Sequence, residues 1–488
     1  MEASARVGQE SVFDVLGGGR LIVAANRAPY HRHVVAGSGT PRWERPAGGL
    51  TAALDPVMRH TGGIWVAAAA GDDVTLEVPP EDPSYTVRTL GIERARYRHY
   101  YLGYANSGLW PLCHHLIERA RFRPDDYRAY RNVNRRFAAE IGKMTNATDV
   151  IWVHDYHLAL LPGELRARGV DLPIALYWHI PWPALAILRM CPERKDLLRG
   201  MLGADWIGFQ TEDSMEAFAQ AVRREIGATW RRGLGGEGRI EYAGRTTFIA
   251  AVPISVDMEH VGDLAASHET EARMKATRRR LGIKPEDTTF LGVDRLDYTK
   301  GIPERLEAYR HLLEHEPSVL GRVHLIQVAV PSRTEITDYQ DLAVKVGGMV
   351  EEITHTFSRD GWLPVTLIEH NLRLDQLVAL YRIADVAVVS SLFDGQNLVA
   401  KEFVAAHIDG DGVLCLSETA GAFHELADAI PLSPLSPEQM AAGLYKAMTL
   451  PTAERRRRMA LLREAVAKNT IYDWLNRVLR GLAAARAA

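Results

Sequence analysis

The chain has few cysteines and no long hydrophobic run. Among its 488 residues are three cysteines, Cys113, Cys191 and Cys415, which lie far apart and lack metal-ligand spacing. Such a set argues against a disulfide framework, so we expect free and mostly buried thiols in a reducing compartment. No apolar run approaches the ~20 residues of a membrane span, and the N-terminus lacks a positive segment followed by an apolar one. These absences predict a soluble cytoplasmic protein with no membrane partner.

The chain also lacks an excess of charge of either sign. Its 58 lysines and arginines nearly balance 61 aspartates and glutamates, which gives a formal net charge of −3. This balance provides no general attraction to nucleic acid or to an anionic membrane. Any phosphate-binding site must therefore be local, and no nucleic-acid partner is expected.

Short β-branched apolar runs alternate with longer helical patterns along nearly the whole chain, which is typical of parallel sheets covered by helices. We predict two open α/β sheets, with a boundary between residues 247 and 253. No G-x-G-x-x-G follows the first strand, which argues against a dinucleotide-binding oxidoreductase. The predicted strands are Leu21 to Ala25, Ile64 to Ala69, Val150 to His154, Ile174 to His179, Trp206 to Gln210, Thr289 to Asp294, Val323 to Val330, Val365 to Glu369, Val386 to Ser390 and Val413 to Ser417.

Two segments of the second half have the character of a phosphate site. In GVDRLDYTKGIP, Arg295 and Lys300 stand five residues apart in a loop that leaves a buried strand. In SLFDGQNLVAKEFV, Asp394 and Gly395 precede a helix whose backbone N–H groups and dipole favour an anion, and Glu402 follows within that helix. Together the segments predict a nucleotide-sugar site.

Polar residues also lie at or directly after the ends of predicted strands in the first half, and a glycine pair lies in the loop PAGGL. They are Asn26, Arg27, Gly48, Gly49, His154, Asp155 and His179. Each alone has an ordinary interpretation as a surface residue, a turn or a cap. Ligands of open α/β sheets bind beyond the carboxyl ends of the strands, so the shared location of these residues indicates a site.

Ordered motifs along most of the chain resemble one family, the trehalose-6-phosphate synthases and their retaining GT-B glycosyltransferase relatives. The motifs are ANR (25–27), GGL (48–50), YYLGYANSGLWPLCH (100–114), VHDYHL (153–158), HIPWP (179–183), GFQT (208–211), VDRLDYTKG (293–301), VAVPSR (328–333) and DGQNLVAKE (394–402). The resemblance implies a GT-B fold, in which two Rossmann-like domains face each other across a cleft. It further implies an acceptor domain at 1–250, a nucleotide-sugar donor domain at 251–465 and a C-terminal helix at 466–488 that packs back on the first domain.

Residue by residue, the resemblance assigns the donor diphosphate to Arg295 and Lys300 and the nucleotide ribose to Glu402. The remaining donor residues are Gly49, Asp394, Gly395, Asn397, Leu398 and Val399. Two cations stabilise the negative charge that builds on a leaving nucleoside diphosphate, so no metal and no cofactor are expected. The DxD spelled by Asp409 and Asp411 is predicted to be a loop and not a metal site.

For the acceptor, the resemblance implies that Arg27, Tyr101, Trp110 and Arg333 surround a sugar phosphate. Guanidinium groups and a phenol suit a phosphate dianion, and an indole offers an apolar wall to a pyranose, although core packing is the alternative for either aromatic residue. Asp155 would position the sugar hydroxyls and His179 would lie near the reacting centre. Retention in the family is attributed to front-face attack without a covalent intermediate, so Asp155 is not expected to act as a nucleophile.

The chain departs from the family pattern at two positions. Ala68 stands where family members commonly have a second tryptophan after the one at Trp65, which leaves the acceptor open. Gln396 replaces the methionine of the usual DGMNL, which leaves the sugar nucleotide open. A related pseudo-glycosyltransferase that joins a nucleotide cyclitol to an aminocyclitol phosphate has a similar DGQNL, but ANR, VAKE and DYTKG are closer to true sugar transferases.

The sequence therefore predicts a retaining hexosyltransferase that moves glucose from a nucleoside diphosphate to glucose 6-phosphate and forms α,α-trehalose 6-phosphate. The same fold with glycerol 3-phosphate or a cyclitol phosphate as acceptor is an alternative. A non-catalytic sugar-phosphate sensor is another, although such a protein would be expected to lose the charges of Arg295, Lys300 and Glu402. The donor base, the regulation and the oligomeric state, a homo-oligomer included, are left open.

Overall fold

The computed structural model describes residues 16–34, 41–44, 49–78, 84–233, 236–359 and 361–487. It divides into two compact units. The first comprises Met1–Pro253 together with Ile471–Ala488, and the second comprises Ile254–Thr470. The domain boundaries predicted from the sequence fall after residues 250 and 465, and the two compact units of the structure divide after residues 253 and 470.

A ten-stranded sheet forms the core of the first unit, in the order β10-β11-β12-β9-β8-β7-β1-β4-β6-β5. Its central strands are parallel, and antiparallel pairs occur only towards its two ends. The first unit's strands, including the separate hairpin β2-β3, are β1 Leu21–Ala24, β2 His31–Val34, β3 Pro41–Glu44, β4 Ile64–Ala70, β5 Val74–Val78, β6 Tyr85–Ile92, β7 Val150–His154, β8 Ile174–Trp178, β9 Trp206–Phe209, β10 Thr229–Arg232, β11 Gly238–Tyr242 and β12 Arg245–Ala251.

Helices of very different lengths connect these strands. The α-helices of the first unit are Gly49–Thr61, Arg94–Tyr97, Trp110–Cys113, Pro124–Met144, Leu161–Arg166, Leu185–Leu188, Arg194–Met201, Glu212–Ile226 and Ile471–Ala487. A π-helix spans Arg98–Leu109, and 3₁₀ turns span Ile117–Arg119 and Tyr156–Leu158. Helix ends follow local chemistry: the Thr211 hydroxyl accepts from the Ser214 N–H at the start of Glu212–Ile226, and Gly227 ends that helix in the left-handed conformation.

The second unit contains a six-stranded parallel sheet in the order β15-β14-β13-β16-β17-β18. Its strands are β13 Thr288–Arg295, β14 Val323–Val330, β15 Val365–Ile368, β16 Val386–Val389, β17 Val413–Ser417 and β18 Ile430–Leu432. Its α-helices are Met258–Ala266, His268–Leu281, Ile302–His315, Thr337–Phe357, Leu374–Ile383, Leu398–Ala406, Pro437–Thr449 and Thr452–Lys468, with 3₁₀ turns at Tyr298–Lys300, Pro317–Val319 and Gly421–His424.

All ten predicted strands are present, with ends that differ by at most one residue, so the prediction of two open α/β sheets is confirmed. The strands that the sequence did not reveal lie mainly at the sheet edges or in the hairpin. The reason is physical: central parallel strands are buried on both faces and read as continuous apolar runs, whereas edge strands such as Thr229–Arg232 are polar.

The predictions about thiols can also be compared with the structure. Cys113, Cys191 and Cys415 are free and buried, as predicted. Burial raises the pKa of each thiol above its ordinary value. Among the described residues, no helix combines the length and the apolar character that crossing a membrane requires.

Candidate active site

The carboxyl end of β13 leads directly into a cluster of charges in the second unit. Arg295 is the last residue of the strand, and Asp297 begins the turn that contains Lys300. The Asp297 carboxylate accepts from the N–H and the hydroxyl of Thr299, at 3.1 Å each. Burial by itself would raise the pKa of Asp297, but the charges of Arg333, Arg295 and Lys300 outweigh it and lower that pKa to about 2. Asp297 is therefore an ionised carboxylate among three cations, one of which, Arg333, pairs with it directly.

Lys300 lies against the loop that precedes the helix Leu398–Ala406. Its ammonium group is 2.5 Å from Asp394 Oδ2, and both side chains are only 13% exposed. The same carboxylate oxygen accepts from the Ser391 hydroxyl and the Asn397 amide, at 3.2 Å each. The structure thus joins the two segments that the sequence identified separately.

The position of Lys300 depends on a close backbone approach at Gly301. This residue has φ of +63°, and a Cβ placed on it would lie 1.9 Å from the Ser390 carbonyl oxygen. The Ser390 hydroxyl, in turn, donates to the Gly301 carbonyl at 2.8 Å. Only glycine allows the lysine turn to lie directly on the end of β16.

Glu402 lies in the helix Leu398–Ala406, which begins after Asn397. The Asn397 side chain caps the helix by accepting from the Ala400 N–H at 3.2 Å. The Tyr381 hydroxyl donates to Glu402 Oε2 at 2.6 Å. Burial raises the pKa of Glu402, and the hydrogen bond from Tyr381 opposes that increase. One carboxylate oxygen of Glu402 is thus held by Tyr381, a residue that the sequence analysis missed because nothing in its local pattern distinguishes it from a core tyrosine.

Arg333 is enclosed in the second unit. Its side chain is 3% exposed, and its guanidinium group lies 2.8 Å from the Asp297 carboxylate and donates to the Tyr339 hydroxyl. In the structure Arg333 therefore pairs with Asp297. The predicted contact between Arg333 and an acceptor phosphate stays a prediction.

In the first unit, Arg27 and Tyr101 lie together. Arg27 is exposed, and its guanidinium group donates to the Tyr101 hydroxyl at 3.1 Å. The Tyr101 ring stacks on Tyr97 and His157. The indole N–H of Trp65 donates to the Arg27 carbonyl at 3.0 Å, which fixes the backbone of the loop after β1. This pair is a cationic and phenolic surface of the kind that binds a phosphate dianion.

Asp155 and His179 follow the neighbouring strands β7 and β8. The backbone N–H of His179 donates to Asp155 Oδ1 at 3.2 Å. His154 Nδ1 lies 3.1 Å from His179 Nε2, so one imidazole donates to the other. Burial lowers the pKa of His179 to about 3. Burial also lowers the pKa of His154 well below its ordinary value, and electrostatic repulsion between the protonated forms of the two rings lowers it further. Both imidazoles are therefore neutral at pH 7.

The last helix of the chain contributes to the surroundings of these histidines. Trp474, in Ile471–Ala487, is fully buried, and its ring centroid lies 6.3 Å from that of His179. It also contacts Trp152 and Tyr177, with centroid distances of 5.1 Å. This aromatic packing excludes water from one side of the histidine pair, which is one cause of its low proton affinity.

Other predicted site residues have more ordinary positions in the structure. Trp110 is 5% exposed and packs on His114 and Tyr156. Ala68 is buried near the end of β4 and donates its N–H to the Asn26 carbonyl at 3.2 Å. Gly49 begins the helix Gly49–Thr61, whereas Gly48 lies outside the described residues. Gly395 lies in the loop between Asp394 and Asn397, and Leu398 and Val399 form the first turn of the helix that follows it.

Backbone strain coincides with the candidate site. Among the described non-glycine residues, those with positive φ are His115, Asp155, Ala243, Arg333 and Asn397. Three of them, Asp155, Arg333 and Asn397, were singled out from the sequence. Strained backbone persists where the surroundings enforce it and is enriched at functional sites.

The DxD motif lies in a loop, as predicted. Asp409 and Asp411 fall between the helix Leu398–Ala406 and β17. Asp409 pairs with Arg382 at 2.8 Å and Asp411 with Arg455 at 2.9 Å. Both carboxylates thus stabilise the loop through ion pairs. In the described part of the chain, no group of three or more His, Cys, Asp or Glu side chains has the arrangement of a metal site.

Comparison with known proteins gives consistent matches over almost the whole chain. The model of glycosyltransferase family 20 matches residues 19–484. A trehalose-6-phosphate synthase of Mycolicibacterium vanbaalenii is 35% identical over 481 residues, which cover 96% of each chain. The UDP-forming α,α-trehalose-phosphate synthase of Candida albicans is 33% identical over 471 residues, which cover 93% of this chain and 95% of the relative.

Solved structures agree with the fold. The UDP-forming α,α-trehalose-phosphate synthase of Burkholderia xenovorans, in complex with glucose 6-phosphate, has a TM-score of 0.86 at 32% identity and covers 95% of this chain and 100% of its own. An Escherichia coli trehalose-6-phosphate structure bound with UDP-2-fluoro glucose has a TM-score of 0.84 at 29% identity and covers 95% and 99%. The predicted resemblance and the predicted GT-B fold class are confirmed.

Proposed function

Because the chain belongs to glycosyltransferase family 20, we propose that it is a retaining hexosyltransferase that transfers glucose from UDP-glucose to glucose 6-phosphate and forms α,α-trehalose 6-phosphate. The names of the Candida and Burkholderia relatives specify the UDP-forming reaction, and this supports uridine as the donor base. The observation that carries the proposal is the pairing of Lys300 with Asp394, because it places a cation beside the helix N-terminus that is expected to receive the diphosphate.

The donor is assigned to the second unit. Arg295, Lys300 and the N–H groups at the start of Leu398–Ala406 are proposed to bind the diphosphate, and Glu402 the ribose hydroxyls. As the bond between the glucose C1 and the UDP oxygen breaks, negative charge accumulates on UDP, and fixed cations stabilise that charge more in the transition state than in the ground state. Lys300 must exchange its contact with Asp394 for one with phosphate. Charge stabilisation is therefore the main contribution proposed for this unit.

The acceptor is assigned to the first unit, where Arg27 and Tyr101 are proposed to bind the phosphate and Asp155 to orient the sugar hydroxyls. The acceptor hydroxyl forms the new bond to C1, and its proton passes to the leaving phosphate on the same face. His179 is proposed to act as a neutral hydrogen-bonding group, because an imidazole with a pKa of about 3 is uncharged near pH 7. Roles for Trp110 and Arg333 at the acceptor remain predictions from the sequence.

A direct assay of the purified protein tests the proposed reaction. UDP-glucose with glucose 6-phosphate should release UDP and give a product whose two anomeric protons have the α,α configuration by NMR. Glycerol 3-phosphate, a cyclitol phosphate, ADP-glucose and GDP-glucose should be poorer substrates by kcat/KM. A higher kcat/KM with another phosphorylated acceptor would replace glucose 6-phosphate in the proposal, and binding of sugar phosphate without any turnover would support the non-catalytic sensor.

The contact between Tyr381 and Glu402 predicts a pH-dependent change in nucleotide affinity. Tyr381→Phe removes only the hydroxyl that donates to Glu402 at 2.6 Å. A hydrogen bond to a charged group contributes about 1.5–3 kcal/mol, so UDP affinity should fall roughly tenfold. The bond from Tyr381 opposes the rise in the pKa of Glu402, so that pKa should rise further when the bond is removed. As the pH is lowered, the variant should therefore begin to lose UDP affinity at a higher pH than the wild type does.

Calorimetric titration with UDP between pH 5 and pH 8 measures both effects. The matched control is Tyr309→Phe, which removes another buried tyrosine hydroxyl of the same unit, one that donates to the Pro364 carbonyl. The phosphate of UDP also titrates in this pH range, but it affects the wild type, Tyr381→Phe and Tyr309→Phe equally and therefore cancels when they are compared. An unchanged pH dependence in Tyr381→Phe would show that Tyr381 does not act through Glu402.

A further inference from the structure

The loop of residues 394–397, which we name the donor loop because the proposed function places the nucleotide sugar there, is hydrogen-bonded to a mostly buried polar cluster that has no part in the proposed chemistry. We name this set of groups the Glu425 cluster and define it as Glu425, Lys401, Gln396, Asn469 and the Ile254 carbonyl. The Lys401 ammonium lies 2.7 Å from Glu425 Oε1 and donates to the Ile254 carbonyl at 2.9 Å. The Gln396 amide donates to the same carboxylate oxygen and, at 3.4 Å, to the same carbonyl. The Asn469 amide donates to Glu425 Oε2 at 2.6 Å.

Burial makes the cluster sensitive to its geometry. Lys401 is 1% exposed and Gln396 is 4% exposed, whereas the Glu425 side chain is 18% exposed, so the cluster is mostly but not completely shielded from water. A buried ion pair is tolerated only when good geometry and further hydrogen bonds compensate for the loss of water, and removal of one partner is strongly unfavourable. The five groups are thus expected to be in place together or to separate together, and intermediate arrangements are disfavoured.

The cluster fixes the loop that precedes the donor helix. Gln396 stands inside this loop, between Gly395 and Asn397. The Gly421 N–H donates to the Asp394 carbonyl at 3.1 Å, and the Ala422 N–H donates to the Gln396 carbonyl at 3.0 Å. A Cβ on Gly421 would lie 2.0 Å from the Gly395 carbonyl oxygen, so the two segments are packed backbone to backbone. The Gln396 side chain then ties this packed pair of segments to Glu425.

The same cluster includes residues from both places where the chain passes between the units. The chain enters the second unit at Ile254 and leaves it after Thr470. The Ile254 carbonyl accepts from Lys401 and Gln396, and Asn469 donates to Glu425. Both connections are therefore hydrogen-bonded to a cluster that also holds the donor loop.

We propose that Glu425 and Gln396 are positioning residues that couple the donor loop to both connecting segments. UDP bound at the loop holds Asp394 to Asn397 in place, Gln396 holds Glu425, and Glu425 with Lys401 fixes the Ile254 carbonyl and the Asn469 amide. Coupling of this kind is reciprocal, so ordering of the connections increases UDP affinity by the same factor as UDP orders the connections. The inference rests on the proposed function, because it takes the loop to be the site of the nucleotide sugar.

Hydrogen exchange measured by mass spectrometry on the full chain, with and without UDP, tests the coupling. In the wild type, UDP should slow exchange both in the donor loop and in the connections around residues 252–258 and 467–472. Gln396→Met keeps the length of the side chain and removes its hydrogen bonds. It should bind UDP about tenfold more weakly, because its coupling to the connections is lost and coupling free energies of about 1–3 kcal/mol change affinity roughly 5- to 150-fold. It should retain protection at the loop under saturating UDP and lose most of the protection at the connections.

The matched control is Gln376→Met, which makes the same change at a half-buried glutamine in the cap of the helix Leu374–Ile383. Its UDP affinity and the protection of its donor loop and connections should equal those of the wild type, and only amides at the start of the helix Leu374–Ile383 should exchange faster. Equal protection of the connections in Gln396→Met and Gln376→Met would overturn the proposed coupling. No binding of UDP or UDP-glucose by the wild type would instead refute the proposed donor site, so the two failures are distinguishable.

A charge exchange within the cluster provides a second test that does not depend on the Gln396→Met variant. Gln396→Glu places a second carboxylate beside Glu425, and Glu425→Gln removes the partner of Lys401. Each single variant should weaken UDP binding by at least about tenfold, because Gln396→Glu brings two carboxylates together and Glu425→Gln removes the carboxylate that pairs with the buried Lys401. The double variant restores one carboxylate and one amide around Lys401 and should recover most of the affinity. Additive losses in the double variant would show that the two side chains do not act together.

Discussion

Lys300→Ala should lower kcat/KM by at least about tenfold. A hydrogen bond to a charged group contributes about 1.5–3 kcal/mol, and each 1.4 kcal/mol corresponds to a factor of ten in rate. The decrease should be larger if the cation acts mainly on the leaving group. The loss should appear in kcat as well as in KM, since the charge on UDP develops in the transition state. Steady-state kinetics with varied UDP-glucose measures both parameters.

The control for this variant is Lys468→Ala, which removes an exposed lysine of the same unit that pairs only along its own helix with Glu464. It should leave the kinetics unchanged. Asp394 keeps donors from Ser391 and Asn397 when Lys300 is truncated, so the loop should stay folded. Near-normal turnover by Lys300→Ala would place the leaving group elsewhere.

Asp297→Ala should have the largest effect on stability. The change removes the Asp297 carboxylate that pairs with the buried Arg333 guanidinium, and loss of one partner of a buried pair costs about 3–5 kcal/mol. The urea midpoint of the second unit, followed by circular dichroism, should fall accordingly. Glu464→Ala, at the exposed pair with Lys468, is the control and should leave the midpoint nearly unchanged.

The low pKa of Asp297 fixes the sign of its pH dependence. The folded pKa of about 2 lies below the ordinary value of 3.8, so the ionised form is the one that folding favours. Its contribution to the free energy of unfolding is present above pH 3.8 and is lost as the pH falls towards 2. Asp297→Asn should therefore lack this part of the acid destabilisation. Parallel loss of stability in the wild type and Asp297→Asn between these pH values would contradict the assignment.

The positions of the predicted donor residues in the fold were easier to foresee from the sequence than those of the predicted acceptor residues. Arg295, Lys300 and Asp394 stand at or after the ends of short β-branched apolar runs, a pattern typical of central parallel strands, so their location at the carboxyl ends of the sheet follows from local pattern. Trp110 and Arg333 show the limit of that reasoning. Their residue types suit a sugar phosphate, but burial is decided by packing partners such as Tyr156 and Asp297, which lie in other elements.

The sequence by itself determined the α/β class, the ten strands that were predicted and the family. Hydrophobic periodicity and the order of motifs are local properties of the sequence, so they can be recognised without knowledge of the tertiary structure. Only the tertiary structure paired Asp297 with Arg333, Tyr381 with Glu402, and Glu425 with Gln396, Lys401 and Asn469. The physical reason is that each pairing joins separate elements, and its strength comes from exclusion of water, which exists only after those elements have packed.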